Sequence, residues 1–206
     1  MTARFITIEG LEGAGKSTQL SVLANWVTDH HGSPLVTREP GGTPLAEQIR
    51  DLVLGHHTET MDAWTELLLV FAARRQHVTE KIRPALAQSQ WVVSDRFTDA
   101  TYAYQGGGRG IDWARIEALE SLVLEGFQPD LTLWLDCPAD IGLARARQRG
   151  ELDRIEQENI DFFERCRAAY ERRHREHPDR VIRLDAAQSI EAVSADLVAV
   201  LEERCA

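Results

Sequence analysis

Phe5-Ile6-Thr7-Ile8-Glu9-Gly10-Leu11-Glu12-Gly13-Ala14-Gly15-Lys16-Ser17-Thr18 is the stretch that decides the fold. Its first half is a β-branched apolar run, the pattern of a buried strand. Its second half, Gly10 to Ser17, satisfies G-x-x-x-x-G-K-[ST], and a helical pattern follows at Ser17–His30. The glycines let successive backbone N–H groups curl around an anion, and the helix adds its positive N-terminal end. Lys16 can then reach the terminal phosphates and the Ser17 hydroxyl can ligate Mg²⁺. The segment Gly10 to Thr18 is therefore expected to bind nucleoside triphosphate, with Lys16 acting on the phosphates and Ser17 on the metal.

Outward from this point, strand-like runs at 5–8, 35–37, 91–94, 131–135 and 181–184 alternate with helical patterns at 44–54, 63–88, 112–124, 138–149, 159–177 and 190–204. Such alternation predicts an α/β protein, the three-layer P-loop NTPase fold, with a five-stranded parallel sheet flanked by helices. No repeat, low-complexity tract or linker interrupts it, so residues 1–206 read as one domain. In open α/β sheets the ligand crevice lies at the carboxyl ends of the strands, where the glycine- and proline-rich joints of this chain fall.

Composition narrows the partners. The 206 residues are 43% hydrophobic and 27% charged with a net charge of −10, which suits a globular chain and argues against a nucleic-acid polymer or an acidic membrane surface. Lys16 and Lys81 are the only lysines among 23 basic residues, so anion recognition falls mainly to arginine. Cys137, Cys166 and Cys205 are widely spaced, which suggests neither a disulfide framework nor a zinc site and fits a cytoplasmic location. The longest apolar run, Leu67 to Ala73, is too short to span a membrane, and no targeting segment is expected.

Four further segments carry candidate chemistry. Thr37-Arg38-Glu39-Pro40-Gly41-Gly42 ends the second strand and holds Arg38 at the crevice, with Arg50 on the following helix. Both arginines read equally as solvated side chains. Asp95-Arg96-Phe97 ends the third strand and delivers a metal carboxylate and an anion fork beside the phosphate loop, or else a structural ion pair. Phe71 shares a helix face with Arg74 and Arg75, a suitable arrangement for stacking on a base and donating to its carbonyl edge, although an apolar stripe is commonly core. Thr101 and Gln105 precede Gly106-Gly107-Gly108, read as a flexible loop in which Gln105 meets a base edge. Finally, the mixed-charge segment at about 147–158, with Arg149 and Arg154, has the makings of a mobile lid or of a solvated face.

Together these motifs resemble the thymidylate kinase family of nucleoside monophosphate kinases, nearly end to end and with a lid of the bacterial kind. The resemblance implies transfer of the γ-phosphoryl group of ATP to dTMP with Mg²⁺, giving dTDP and ADP for dTTP biosynthesis, in a homodimer. It places Lys16 and the loop amides on ATP, Ser17 and Asp95 on the metal, and Arg96, Arg38 and Arg50 on the acceptor phosphate. Glu12 falls to the sugar hydroxyl, Arg74, Thr101 and Gln105 to the base, and Arg154 or Arg149 to the transition state. The family's usual phenylalanine is Val70 here, with Phe71 one place later, so thymine meets either Phe71 or an aliphatic surface. Rival readings are a P-loop kinase with another acceptor, an inactive nucleotide-binding module, and a GTPase-like switch. The switch is disfavoured because Gly15 and Glu80 precede the lysines, so no Asn-Lys-x-Asp motif exists.

Overall fold

The computed structural model describes residues 3–148 and 153–205. Five strands form one parallel sheet: β1 (Phe5–Gly10), β2 (Leu35–Arg38), β3 (Val92–Asp95), β4 (Leu131–Asp136) and β5 (Val181–Asp185), in the order β2-β3-β1-β4-β5. The phosphate-loop strand is thus central. Ile8 is in register with Asp95 and Gly10 with Leu135, so the strands on either side of β1 end level with it and with the loop that follows.

The two faces of the sheet are covered by different helices. On one face, Ile6, Ile8, Val93 and Leu133 form a core with Leu23 and Val27 of α1 (Lys16–His31) and Leu197 and Leu201 of α9 (Ile190–Cys205). The other face carries α2 (Pro44–Leu54), α3 (Ala63–His77), α4 (Arg83–Ala87), α5 (Thr98–Thr101), α6 (Trp113–Leu124), α7 (Ala139–Arg147) and α8 (Ile160–Glu176) around three further clusters, one centred on Trp134 and Phe163, one on Phe5 and Phe97, and one on Leu67 and Phe71. Local signals set several helix starts: Thr43, Asp62, Asp112 and Asn159 cap α2, α3, α6 and α8 by accepting from backbone N–H groups two or three residues on.

Two stretches depart from the sequence reading. The helix expected over 63–88 is divided into α3, a π-helical turn at Val78–Ile82 and α4, which begins beside Pro84. The glycine run expected to be a flexible loop is helical: α5 passes into a π-helical segment, Tyr102–Gly108, packed against α8. A Cβ on Gly107 would lie 2.5 Å from the Arg165 carbonyl oxygen, and one on Gly108 would lie 2.4 Å from the Phe162 ring. These glycines serve close packing of two helices. Among the described residues no helix is long and apolar enough to cross a membrane.

Candidate active site

The crevice is a cleft of about 410 Å³ between the phosphate loop and the ends of β2 and β3. On the loop side, Gly13 has φ +73° and approaches α7 so closely that a Cβ would sit 2.0 Å from the Gly142 carbonyl oxygen. Gly15 has φ +90° with open space where its Cβ would be, and it lines the cleft with Gly13. Leu11 and Ala14 are buried beneath the loop and anchor it. Lys16 Nζ donates to the carbonyls of Gly10 (3.1 Å) and Leu11 (2.9 Å), and burial draws its pKa down to about 8. Ser17 and Thr18 line the cleft at the start of α1.

Arg96 occupies the centre. Its backbone is left-handed, at φ 72°, a conformation that costs a non-glycine residue on the order of 1–3 kcal/mol. It is held there because its N–H donates to Ile8 (2.9 Å), its carbonyl accepts from Ser94 Oγ (2.8 Å), and the next N–H, of Phe97, donates to Glu9 Oε1 (2.7 Å). The guanidinium donates to Glu12 Oε1 (2.7 Å), Tyr104 OH (3.0 Å) and Tyr170 OH (3.2 Å). Tyr170 OH in turn donates to Glu9 Oε2 (2.8 Å), so one carboxylate steadies both the backbone and the side chain of this arginine. Burial raises the Glu9 pKa to about 7, helped by the Asp99 charge. Glu12 is held below its ordinary range: burial opposes this, and the Arg96 and Lys16 charges outweigh it.

Beyond Arg96 lies a wall of polar side chains. Arg74 is buried and donates to Glu39 Oε2 (2.6 Å), Thr101 Oγ1 (2.9 Å) and the Phe97 carbonyl (3.0 Å). Glu39 is itself braced by His77 (2.9 Å), whose other ring nitrogen meets Thr37 Oγ1 (2.7 Å). Gln105 lines the same wall and donates to Glu66 Oε1 (2.8 Å). Arg50 lines the cleft with Nη1 on the Pro40 carbonyl (2.9 Å). Asp95 lines it too, and its Oδ1 is buried without a hydrogen-bond partner among the described residues.

Glu12, Lys16, Ser17, Arg50, Arg74, Asp95, Arg96, Thr101 and Gln105 are thus brought together as expected. Three other residues sit elsewhere than expected. Phe71 is core, clustered with Leu67, Tyr102, Ile111 and Ile116, and the residue of α3 that meets the cleft is Val70. A step of one residue on a helix turns the side chain by about 100°, which is why adjacent positions cannot share the task. Arg38 points outward, 54% exposed, and pairs with Glu47 at 2.9 Å. Arg154 is docked against α3 and the end of α2, donating to Glu66 Oε2 (2.6 Å) and the Val53 carbonyl (2.8 Å), and it does not line the cleft. Arg149 lies outside the described residues.

Glu9, Glu66 and Tyr170 escaped the sequence reading, Glu39 and Tyr104 were met only as members of motifs with no role given them, and Arg145, which lines the cleft and donates to the Ala186 carbonyl (3.2 Å), was met only as part of a charged run. Glu9 left a signal, an acid inside an otherwise apolar strand run, and so did Glu39, which falls in the Thr37 to Gly42 turn.

A phosphate loop facing a wall of fixed guanidinium and amide groups across one cleft defines a P-loop phosphotransferase that acts between two small substrates. Comparison with known proteins narrows this. The family model described as thymidylate kinase matches residues 8–197. The chain is 57% identical to a thymidylate kinase of Pseudomonas putida (strain GB-1), over 100% of this chain and 99% of the relative. It is 52% identical to one of Teredinibacter turnerae, over 98% of each. The solved thymidylate kinase of Ehrlichia chaffeensis superposes with a TM-score of 0.78 at 33% identity, covering 98% of this chain and 99% of that one. The chain belongs to the thymidylate kinase family.

Proposed function

We propose that the chain transfers the γ-phosphoryl group of ATP to the phosphate of dTMP, giving dTDP and ADP, in the supply of dTTP. The observation that carries this reading is the single cleft that joins the phosphate loop to the Arg74–Thr101–Gln105 wall through Arg96. Such transfers depend on alignment and on neutralising charge, so the chain's task is to hold two anions end to end.

The amides of Gly13 to Thr18 and Lys16 hold the donor phosphates. A bound phosphate opposes loss of the Lys16 proton, so nucleotide binding raises the depressed pKa and weakens as pH rises through about 8. Arg96, with Arg50, grips the acceptor phosphate, and Glu12 keeps Arg96 in place while meeting the sugar. Arg74 donates to the base carbonyl, and Val70 supplies the aliphatic surface against the ring. Ser17 and Asp95 are suited to a Mg²⁺ ion, directly or through water, and the partnerless buried Asp95 Oδ1 is the feature that fits it. When bound, the ion would neutralise phosphate charge and orient the donor. In the segment at about 147–158, Arg149 and Arg154 serve the transferring group, and Arg154 must leave Glu66 to do so.

The whole chain, 1–206, is read as one domain, and as a homodimer on the exposed apolar side chains Leu45, Leu52, Trp64 and Leu68 of the packed pair α2 and α3. Three buried free cysteines support a cytoplasmic setting. The deciding assay is coupled ADP release with Mg·ATP against dTMP, dUMP, dCMP, dGMP and AMP, with Arg74→Ala beside the wild type. Turnover favouring dTMP, reduced about a hundredfold or more in the variant, is expected. Binding of ATP with no acceptor phosphorylated would overturn the reading.

A further inference from the structure

Glu66 is fully buried on α3, yet four donor groups converge on it. Oε1 accepts Gln105 Nε2 (2.8 Å) and Arg109 Nε (3.2 Å), and Oε2 accepts Arg109 Nη2 (3.1 Å) and Arg154 Nη2 (2.6 Å). Burial would raise its pKa, but these bonds from Arg109 and Gln105 bring it below the ordinary range. Glu66 is therefore ionised at neutral pH and is an acceptor with nothing to donate. That removes a choice. A glutamine amide has a donor end and an acceptor end, and only the donor end can face a carboxylate. Gln105 is itself 3% exposed and lines the cleft, so turning its nitrogen to Glu66 leaves its carbonyl oxygen as the group offered there.

The neighbouring positions have the opposite polarity. Arg74 is donor only, and Thr101 Oγ1 already accepts from Arg74 Nη1, which leaves the hydroxyl hydrogen to donate. We infer that Glu66 is a specificity-positioning residue: by fixing the amide of Gln105 it makes the wall read donor, donor, acceptor. A pyrimidine with a carbonyl at position 4 and an N–H at position 3 complements that order. Cytosine, with an amino group at 4 and a bare ring nitrogen at 3, sets donor against donor and acceptor against acceptor. The inference rests on the acceptor assignment under Proposed function, and adds to it the residue that enforces the choice.

The test is kcat/KM for dTMP and dCMP in the wild type, Glu66→Gln, Glu66→Asp and Arg154→Ala. A glutamine at 66 can turn its own nitrogen toward Gln105 and let that amide flip. The dTMP-to-dCMP ratio is then expected to fall by about tenfold to a hundredfold. Glu66→Asp keeps an acceptor-only group and should hold the ratio within about threefold of wild type, a small energy on the scale that relates fold-changes to free energy. Arg154→Ala should slow both nucleotides alike. Glu66→Gln losing activity equally toward both, or Glu66→Asp losing the ratio as the amide does, would overturn the inference. Should Glu66→Gln fail to fold, the wild type still decides. The side-chain amide protons of Gln105, assigned by NMR with Gln105→Met, should exchange slowly with water, and fast exchange overturns the inference. A wild type that ignores dTMP while those protons exchange slowly would instead sink the acceptor assignment.

Discussion

Ile6 and Ile8 of β1 join Leu23, Val27, Leu197 and Leu201 in a hydrocarbon core, whereas Thr7 and Glu9, interleaved with them, enter a network of hydroxyls, carboxylates and guanidinium groups. On that second face Thr7 meets Thr132 (2.9 Å), Thr132 meets Asp99 (3.2 Å), and Asp99 is gripped by Arg173 (2.8 Å) and Arg180 (2.7 Å). The first face is held by transfer of apolar area from water, which is insensitive to direction. The second adds to its apolar clusters bonds that hold only at fixed angles, and it is the face that positions Arg96, Arg74 and Gln105. Stability without direction suffices on one side of the sheet, and on the other, direction is added to it at some cost in stability to build the site.

Substitutions that strike one face and spare the other test this contrast. The largest effect is expected from Asp99→Ala, which strands two guanidinium groups in a poorly solvated place; thermal or urea unfolding should show a loss of about 3–5 kcal/mol. Leu197→Ala, on the apolar face, should lose about 2–5 kcal/mol by cavity formation, yet leave KM for both substrates unchanged in the folded protein. If it shifts KM as well, the separation of the faces fails.

The polar face should also be the one that senses pH. Glu9 is raised from its ordinary 4.5 to about 7, so the folded state binds a proton that the unfolded chain has released. Its contribution is fully present below pH 4.5 and is lost as pH rises through 7, amounting to as much as about 3 kcal/mol. Glu9→Gln should flatten that part of the stability profile, measured by unfolding between pH 5 and 8 in steps of about half a unit, while Leu197→Ala should lower the profile without changing its slope. The smallest effect is expected from Gly107→Ala, which presses a methyl on the Arg165 carbonyl and α8: about 1–3 kcal/mol, with a larger fall in kcat than a surface change would give.

The same contrast explains what the sequence made legible. The strands and the phosphate loop announce themselves because apolar runs and glycine spacing are local patterns, and so does Asp95-Arg96 at a strand end. Tyr170 and Glu66 do not, because their partners lie 74 to 161 positions away for Tyr170 and 39 to 88 for Glu66, brought near only by the packing of α8 and α3. Phe71 misled because composition favours an aromatic beside a base, whereas helical rotation gives the cleft to Val70. The glycines at 106–108 misled because flexibility and close packing call for the same residue.

The scarcity of lysine gives the loop a chemical signature. With Lys16 and Lys81 the only side-chain amines, an acylating reagent has two such targets per chain, and the depressed pKa of Lys16 gives it the larger uncharged, nucleophilic fraction near neutrality. One covalent event at Lys16 would silence the molecule, and a triphosphate in the loop would shield it. The residue proposed to grip the donor is thus also the natural attachment point for a selective covalent probe.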